Sequence, residues 1–209
     1  TFYFGQFSLV LAATSGKMYD VFIYYTTADA GISGNYNGIT LEILAWTNTT
    51  TRATTLVLQD GNLVKNGDPT RRYIGSFYAS ADNQTDDAAA KRHLANYLNP
   101  VEKQLVCFDT TNTWTYTSAA YREADGGSTL GTTRFNCVIP VAGFPLDCEA
   151  IGYSSNASNP IRTTGVGLDS TTTNSAQLQM SCNAAAGGPS YAKYRALPAV
   201  GLHTISWLE

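Results

Sequence analysis

Charged residues are scarce in this sequence: lysine, arginine, aspartate and glutamate make up 14% of its 209 residues, whereas about a quarter is usual for soluble domains. Thirteen basic side chains against sixteen acidic ones give a net charge of −3. Proteins that bind nucleic acid need a basic surface to displace counterions from phosphate. There is also no run of 18 or more apolar residues that could form a membrane-spanning helix. The sequence therefore indicates neither nucleic acid nor a membrane as a partner.

Residues that carry enzyme chemistry are also few. The chain has two histidines, His93 and His203, and no G-x-S-x-G motif accompanies them, although a nucleophilic Ser, Thr or Cys usually needs a histidine base. Neither a phosphate-binding glycine loop nor a set of residues at metal-ligand spacing is present. These absences predict no catalytic residue, no metal and no cofactor. Paired carboxylates of a glycosidase cannot be located without a fold, so that alternative stays open.

The four cysteines form no C-x-x-C pair; they are Cys107, Cys137, Cys148 and Cys182. They are interpreted first as buried small hydrophobes. One or two disulfides are the alternative, for which Cys137 and Cys148 are the pair closest in sequence. The pairing itself cannot be derived from the sequence.

What the sequence does contain is typical of strands and turns. Threonine and tyrosine fit a pleated surface, while glycine, asparagine and aspartate supply turns. Alternation or apolar runs predict early strands over residues 6–13, Met18–Tyr25 and 39–46. Residues 56–59 and 62–65 flank Asp60-Gly61, which predicts a hairpin with a type I′ turn. A further turn at 66–69 precedes a strand over 71–80.

One segment favours a helix instead. Residues 85–92 (TDDAAAKR) offer an N-cap threonine, acids in the first turn and bases in the last. Residues 93–99 that follow are interpreted as a strand. Later strands are predicted at the spacing of sandwiches and barrels, over 104–108, 113–117, Arg134–Ile139, 148–153, 176–182, 191–197 and 202–208.

The predicted fold class is therefore all-β: an antiparallel β-sandwich of the jelly-roll kind, with one short helix near 85–92. Residues 1–209 are expected to form a single domain. The chain opens on Thr1 and ends inside a predicted strand, so we expect it to be a segment of a longer protein.

Aromatic side chains are the candidate recognition residues. Trp114 and Tyr116 would share one strand face, and an exposed ring can stack on a ligand at low entropic cost. Binding chemistry in a sandwich concentrates in end loops, which points to Tyr36 in loop 30–38 and Tyr121 in loop 119–133. The alternative is that these rings fill the core or stand in solvated connectors.

An ordered series of segments along nearly the whole chain resembles a known family. The segments are 16–22 (GKMYDVF), 44–54 (LAWTNTTTRAT), 59–65 (QDGNLVK), 70–75 (TRRYIG), 88–92 (AAAKR), 113–116 (TWTY), 166–170 (VGLDS) and 201–204 (GLHT). Together they are similar to a β-rich domain of tailed-bacteriophage structural proteins, of the kind found in tail fibres and other virion appendages.

This resemblance implies a non-enzymatic virion structural protein on an extracellular particle, used for assembly and host attachment. The implied partners are other copies of the chain, as a homotrimer in a fibre, other virion proteins and host-surface glycan. Two alternatives remain: a capsid decoration or head-fibre protein, and a polysaccharide depolymerase module.

Overall fold

The computed structural model describes residues 12–25, 39–111, 113–154, 161–183 and 187–209. Its strands are β1 (Met18–Tyr25), β2 (Ile39–Ala45), β3 (Leu56–Gln59), β4 (Asn62–Lys65), β5 (Asp68–Ala81), β6 (Gln84–Thr85), β7 (Asp87–Ala88), β8 (Lys91–Arg92), β9 (Leu94–Asn96), β10 (Arg134–Ile139), β11 (Leu146–Ser154), β12 (Ile161–Arg162), β13 (Gly165–Leu168), β14 (Leu178–Met180), β15 (Cys182–Asn183), β16 (Gly188–Ala196) and β17 (Gly201–Leu208). Over these ranges the only helical element is a 3₁₀ turn at Ala124–Gly126. The all-β prediction is confirmed, and among the strand pairs whose register is described all are antiparallel except β8 and β10, which are parallel.

Backbone contacts divide the chain into two compact units. The first unit comprises the described residues of Thr1–Asp87, His93–Glu102 and Val200–Leu202. The second unit comprises the described residues of Ala88–Arg92, Lys103–Ala199 and His203–Glu209. The expectation that residues 1–209 form one domain stays a prediction.

The first unit is built on a sheet with the strand order β2-β1-β5-β4-β3, and β6 and β9 also pair with β5. The β3–β4 hairpin has the predicted register, with Gln59 opposite Asn62. Asp60 and Gly61 both have positive φ, 49° and 77°. Positive φ at both central residues defines the type I′ turn, so this prediction is confirmed.

The two faces of β1 bury different kinds of side chain, the aromatic ring of Tyr19 on one face and the carboxylate of Asp20 on the other. Tyr19 stacks on Phe77 of β5, with ring centroids 5.1 Å apart, in a small apolar cluster with Ala13 and Ala79. Asp20 points the other way because successive strand residues alternate. Its carboxylate is fully buried and accepts hydrogen bonds from Arg52 (2.8 Å) and Ser76 (2.7 Å). Burial raises the pKa of Asp20, while Arg52 acts in the opposite direction.

The second unit has the architecture of a sandwich. One sheet has the order β13-β17-β10-β8-β7, a second has the order β11-β16-β14, and β12 pairs with β15. Side chains from both larger sheets meet in one buried cluster formed by Cys137, Ile139, Cys148, Ala150, Val166, Ala192, Tyr194 and Ile205. Alternate residues of each strand supply this core, as expected of two sheets packed face to face.

The cysteines of this core are buried small side chains. Cys107, Cys137 and Cys148 are free thiols in the structure. Burial raises the pKa of both Cys137 and Cys148 to about 12. The side chain of Cys182 lies outside the described residues.

The predicted helix over 85–92 is wrong. This stretch contains the short strands β6, β7 and β8. Its carbonyl groups accept hydrogen bonds from other segments of the chain. The Ala89 carbonyl accepts from the Val106 N–H (2.8 Å), and the Ala90 carbonyl accepts from the Asn136 N–H (3.0 Å). Eight residues are too few for a helix to be stable by itself, so these tertiary hydrogen bonds outweigh the capping signals.

Two predicted strands, 104–108 and 113–117, are also wrong. The first makes isolated backbone bonds, such as that from Phe108 to the Gly131 carbonyl (2.9 Å), instead of a continuous ladder. Most other strands are confirmed within a few residues, and the segment 93–99 contains β9. Of the predicted strand 6–13, residues 6–11 lie outside the described residues, and 12–13 are not in a strand.

Candidate ligand-binding pocket

The pocket begins where the core of the second unit ends. Inward-facing positions of a strand recur every second residue. Continuing these rows past the core leads to Gly152 on β11, Ser190 on β16 and Trp207 on β17. Thr164, just before β13, lies beside them. Gly152, Thr164 and Ser190 have small side chains, and a cavity opens beside them at this end of the core.

Two buried hydroxyls and a glycine form the floor. Thr164 Oγ1 and Ser190 Oγ hydrogen-bond to each other, and Ser190 Oγ is 3.4 Å from the Gly152 carbonyl oxygen. A Cβ atom on Gly152 would lie 2.8 Å from Thr164 Oγ1 and 3.6 Å from the Trp207 ring. Glycine is therefore the residue that keeps this floor open.

Aromatic rings form the walls. Trp114 and Trp207 meet edge to face, with centroids 6.1 Å apart and planes at 81°. The Tyr121 hydroxyl accepts a 2.7 Å hydrogen bond from Gln179 Nε2. The pocket thus offers both flat apolar surfaces and hydroxyl groups.

A carboxylate with two internal partners completes the wall. Glu209 Oε1 accepts from Arg122 Nη2 (2.7 Å) and Nε (2.9 Å). Glu209 Oε2 accepts from the Trp114 indole N–H. The backbones of Arg122 and Glu209 also bond to each other in both directions (3.2 and 3.0 Å), and the Arg122 guanidinium lies 3.9 Å over the Tyr116 ring. These contacts attach the aromatic segment to the residue after β17.

The resulting cavity has a volume of about 430 Å³, within the range of small-molecule sites. It is lined by Trp114, Tyr116, Thr117, Ser118, Ala119, Ala120, Tyr121, Gly152, Tyr153, Ile161, Thr163, Thr164, Ser190, Trp207 and Glu209. All of these residues belong to the second unit.

Three of the four predicted contact residues line this one cavity: Trp114, Tyr116 and Tyr121. Trp114 and Tyr116 are half-buried whereas the threonines between and beside them are exposed, which matches the predicted shared face. None of the three belongs to the buried core cluster. Tyr36 and loop 30–38 lie outside the described residues. That any of these residues touches a ligand stays a prediction.

Sequence reasoning missed the rest of the pocket, including Gly152, Ser190, Trp207 and Glu209. The period-two rows on β11 and β16 are visible in the sequence, and they could have marked Gly152 and Ser190 as inward positions that share a face with Ala150 and Ala192. No sequence signal links Glu209 to Arg122, because 87 residues separate them.

A second cavity, of about 440 Å³, is lined by Arg134, Asp169, Ser170, Thr171, Thr204 and Ser206. Its two charged residues are already paired, Arg134 with Glu123 and Asp169 with His203. His203 contacts Asp169 through Nδ1 and the Ala199 carbonyl through Nε2, both at 2.7 Å. Both ring nitrogens therefore have hydrogen-bond partners within the fold.

Metal-binding geometry and similarity to known proteins give no further evidence about the function. Within the described ranges, no three His, Cys, Asp or Glu side chains lie close enough together to hold a metal ion. The described part of the chain likewise has no helix with the length and apolar character needed to cross a membrane. No protein-family model, no curated protein and no solved structure matches this chain.

Proposed function

We propose that this chain is a non-enzymatic structural module of a bacteriophage virion, part of a tail fibre or comparable appendage. In this role it assembles with other copies of itself and with other virion proteins. It also attaches the particle to glycan on the host surface, through the pocket of the second unit.

The observation that carries the attachment role is the pocket wall. Trp114, Tyr116 and Tyr121 stand together around one cavity whose floor bears hydroxyl groups. Aromatic faces bind the C–H face of a sugar, and hydroxyl groups exchange hydrogen bonds with its hydroxyls. The virion role is supported by the resemblance of the ordered segments and by the β-rich architecture.

Locating the chain in the intact particle is the first test. We expect cryo-electron microscopy of the phage to place it in a tail fibre or appendage. Density for the chain on the capsid surface would instead support the decoration or head-fibre alternative.

Host adsorption is the second test. Trp114→Ala, Tyr121→Ala and Tyr36→Ala should lower adsorption of the particle to host cells because each removes a predicted stacking ring. Tyr25→Ala is the matched control, since Tyr25 is exposed and belongs to the first unit. Thermal melting of each variant separates lost contacts from lost folding. Normal adsorption by all three folded variants would contradict attachment through these rings.

The depolymerase alternative has its own measurement. Incubation of the protein with host polysaccharide should release no new reducing ends. A steady increase in reducing ends would overturn the non-enzymatic proposal.

A further inference from the structure

Glu209 is the one charged side chain among the described residues that line the pocket. Both of its oxygens are already used, Oε1 by Arg122 and Oε2 by Trp114. The Arg122 guanidinium is likewise occupied, by Glu209 and by the face of the Tyr116 ring. The pair therefore adds no net charge to the site, and among the described side chains that line the cavity none is a lysine or arginine that could receive an anion.

This charge arrangement discriminates between sugars. A carboxylate brought into the pocket would lose water without gaining a cationic partner, which is costly. A neutral sugar avoids this penalty, because its hydroxyls can hydrogen-bond to the pocket hydroxyl groups and its C–H face can pack on the aromatic rings.

The shape of the pocket suits a sugar ring. Trp114 and Trp207 stand nearly at right angles, so a flat ring on one of them would have its edge against the other. The floor behind them is open because Gly152 lacks a side chain.

From the Glu209–Arg122 pair and the right-angled tryptophans, we infer that the pocket takes an uncharged hexopyranose and that this ion pair excludes acidic sugars. The inference rests on the proposed glycan attachment and specifies its ligand class. Arg122 and Glu209 are then specificity-determining residues: Glu209 neutralises a guanidinium that would otherwise attract acids.

The test uses two probe sets that differ at one carbon atom, which is a hydroxymethyl group in one set and a carboxylate in the other. One set consists of trisaccharides of neutral hexoses, and the other of the same trisaccharides with the terminal hexose oxidised at C6 to a uronic acid. Binding of the whole chain is followed by tryptophan fluorescence, to which Trp114 and Trp207 contribute, and by saturation-transfer NMR. We expect the wild type to prefer neutral members by about tenfold or more, the ratio that corresponds to roughly 1.4 kcal/mol.

Glu209→Gln keeps the size of the side chain but removes its charge and leaves Arg122 uncompensated. The neutral-to-acidic preference should then fall several-fold. Glu149→Gln is the matched control, because Glu149 is an exposed carboxylate paired with Lys193 outside the pocket, and its preference should equal that of the wild type.

Equal or tighter binding of the acidic set by the wild type would overturn the inference and leave glycan attachment intact. An unchanged preference in folded Glu209→Gln would overturn the role of the ion pair. Failure of the wild type to bind any member of either set would count against the proposed attachment itself, and the inference would fall with it.

Discussion

At the scale of single residues, Arg52 connects a buried carboxylate of the first unit to two aromatic rings. Its guanidinium bonds to the buried Asp20 carboxylate (2.8 Å) and lies over the rings of Trp46 (4.4 Å) and Tyr73 (5.5 Å). Burial raises the pKa of Asp20, and the charge of Arg52 and its hydrogen bond oppose that rise. A buried carboxylate without a cation is far less stable than a paired one.

Arg52→Ala is therefore expected to destabilise the fold by about 3–5 kcal/mol, as measured when one partner of a buried ion pair is removed. The free energy of unfolding from urea titration checks this value. Adding Asp20→Asn in the same chain should recover part of the loss, because the unpaired charge is then gone. A loss below about 1 kcal/mol, the range of surface pairs, would contradict the prediction.

Glu42 is expected to contribute stability that depends on pH. Partial burial raises the pKa of Glu42, but hydrogen bonds from Lys65 (2.6 Å) and Arg71 (2.7 Å) outweigh it, so the pKa lies below its ordinary value of 4.5. A carboxylate with a lowered pKa stabilises the folded state fully above its ordinary pKa, and the benefit disappears as the pH falls through the folded-state pKa.

Glu42→Gln should accordingly lower the urea midpoint at pH 7 and have a much smaller effect once the pH is below the folded-state value. The expected loss is modest because the pair is partly exposed. A difference between wild type and variant that stays constant from pH 7 to pH 2 would be inconsistent with this account.

At the scale of elements, the β3–β4 hairpin depends on its turn. Gly61 has φ of 77°, and a Cβ atom there would have nothing within 4 Å. Any cost of substitution is therefore backbone strain alone. Gly61→Ala should destabilise the protein by about 1–2 kcal/mol, because the left-handed conformation costs an L-residue that much.

Gly61→Asn is the companion variant, since asparagine tolerates the left-handed region better than alanine. Chemical denaturation of both should place the asparagine variant between wild type and Gly61→Ala. Equal stability of the two variants would argue against backbone strain at this turn.

At the scale of the whole molecule, we expect self-association. In the described part of the second unit, β14 pairs with β16 alone and forms an edge of its sheet, and Leu178 and Met180 on it are exposed. Native proteins cover or blunt such edges, often with charge, and this chain has little charge to use. A homotrimer is the state that the family resemblance implies. Light scattering at micromolar concentration measures it directly, and a monodisperse monomer would contradict the prediction.

Sequence alone was enough to predict features that depend on residues close together along the chain. The strand Met18–Tyr25 was predicted with its observed bounds, and Asp60-Gly61 identified both the hairpin and its turn type. The signal is local in each case, since alternation and left-handed turn residues act within a few positions. The capping pattern at 85–92 was equally local but misleading, because its backbone found partners at Val106 and Asn136.

The pocket was decided by tertiary structure. The sequence identified Trp114, Tyr116 and Tyr121 as rings able to bind a ligand, and it placed the first two on one face. Its period-two rows put Gly152 and Ser190 on inward faces, but it contained no sign that a cavity would open there. It also contained no sign that Glu209 would pair with Arg122. Periodicity shows which residues of a strand share a face, whereas only the packing of sheets determines which faces meet and where the space between them stays open.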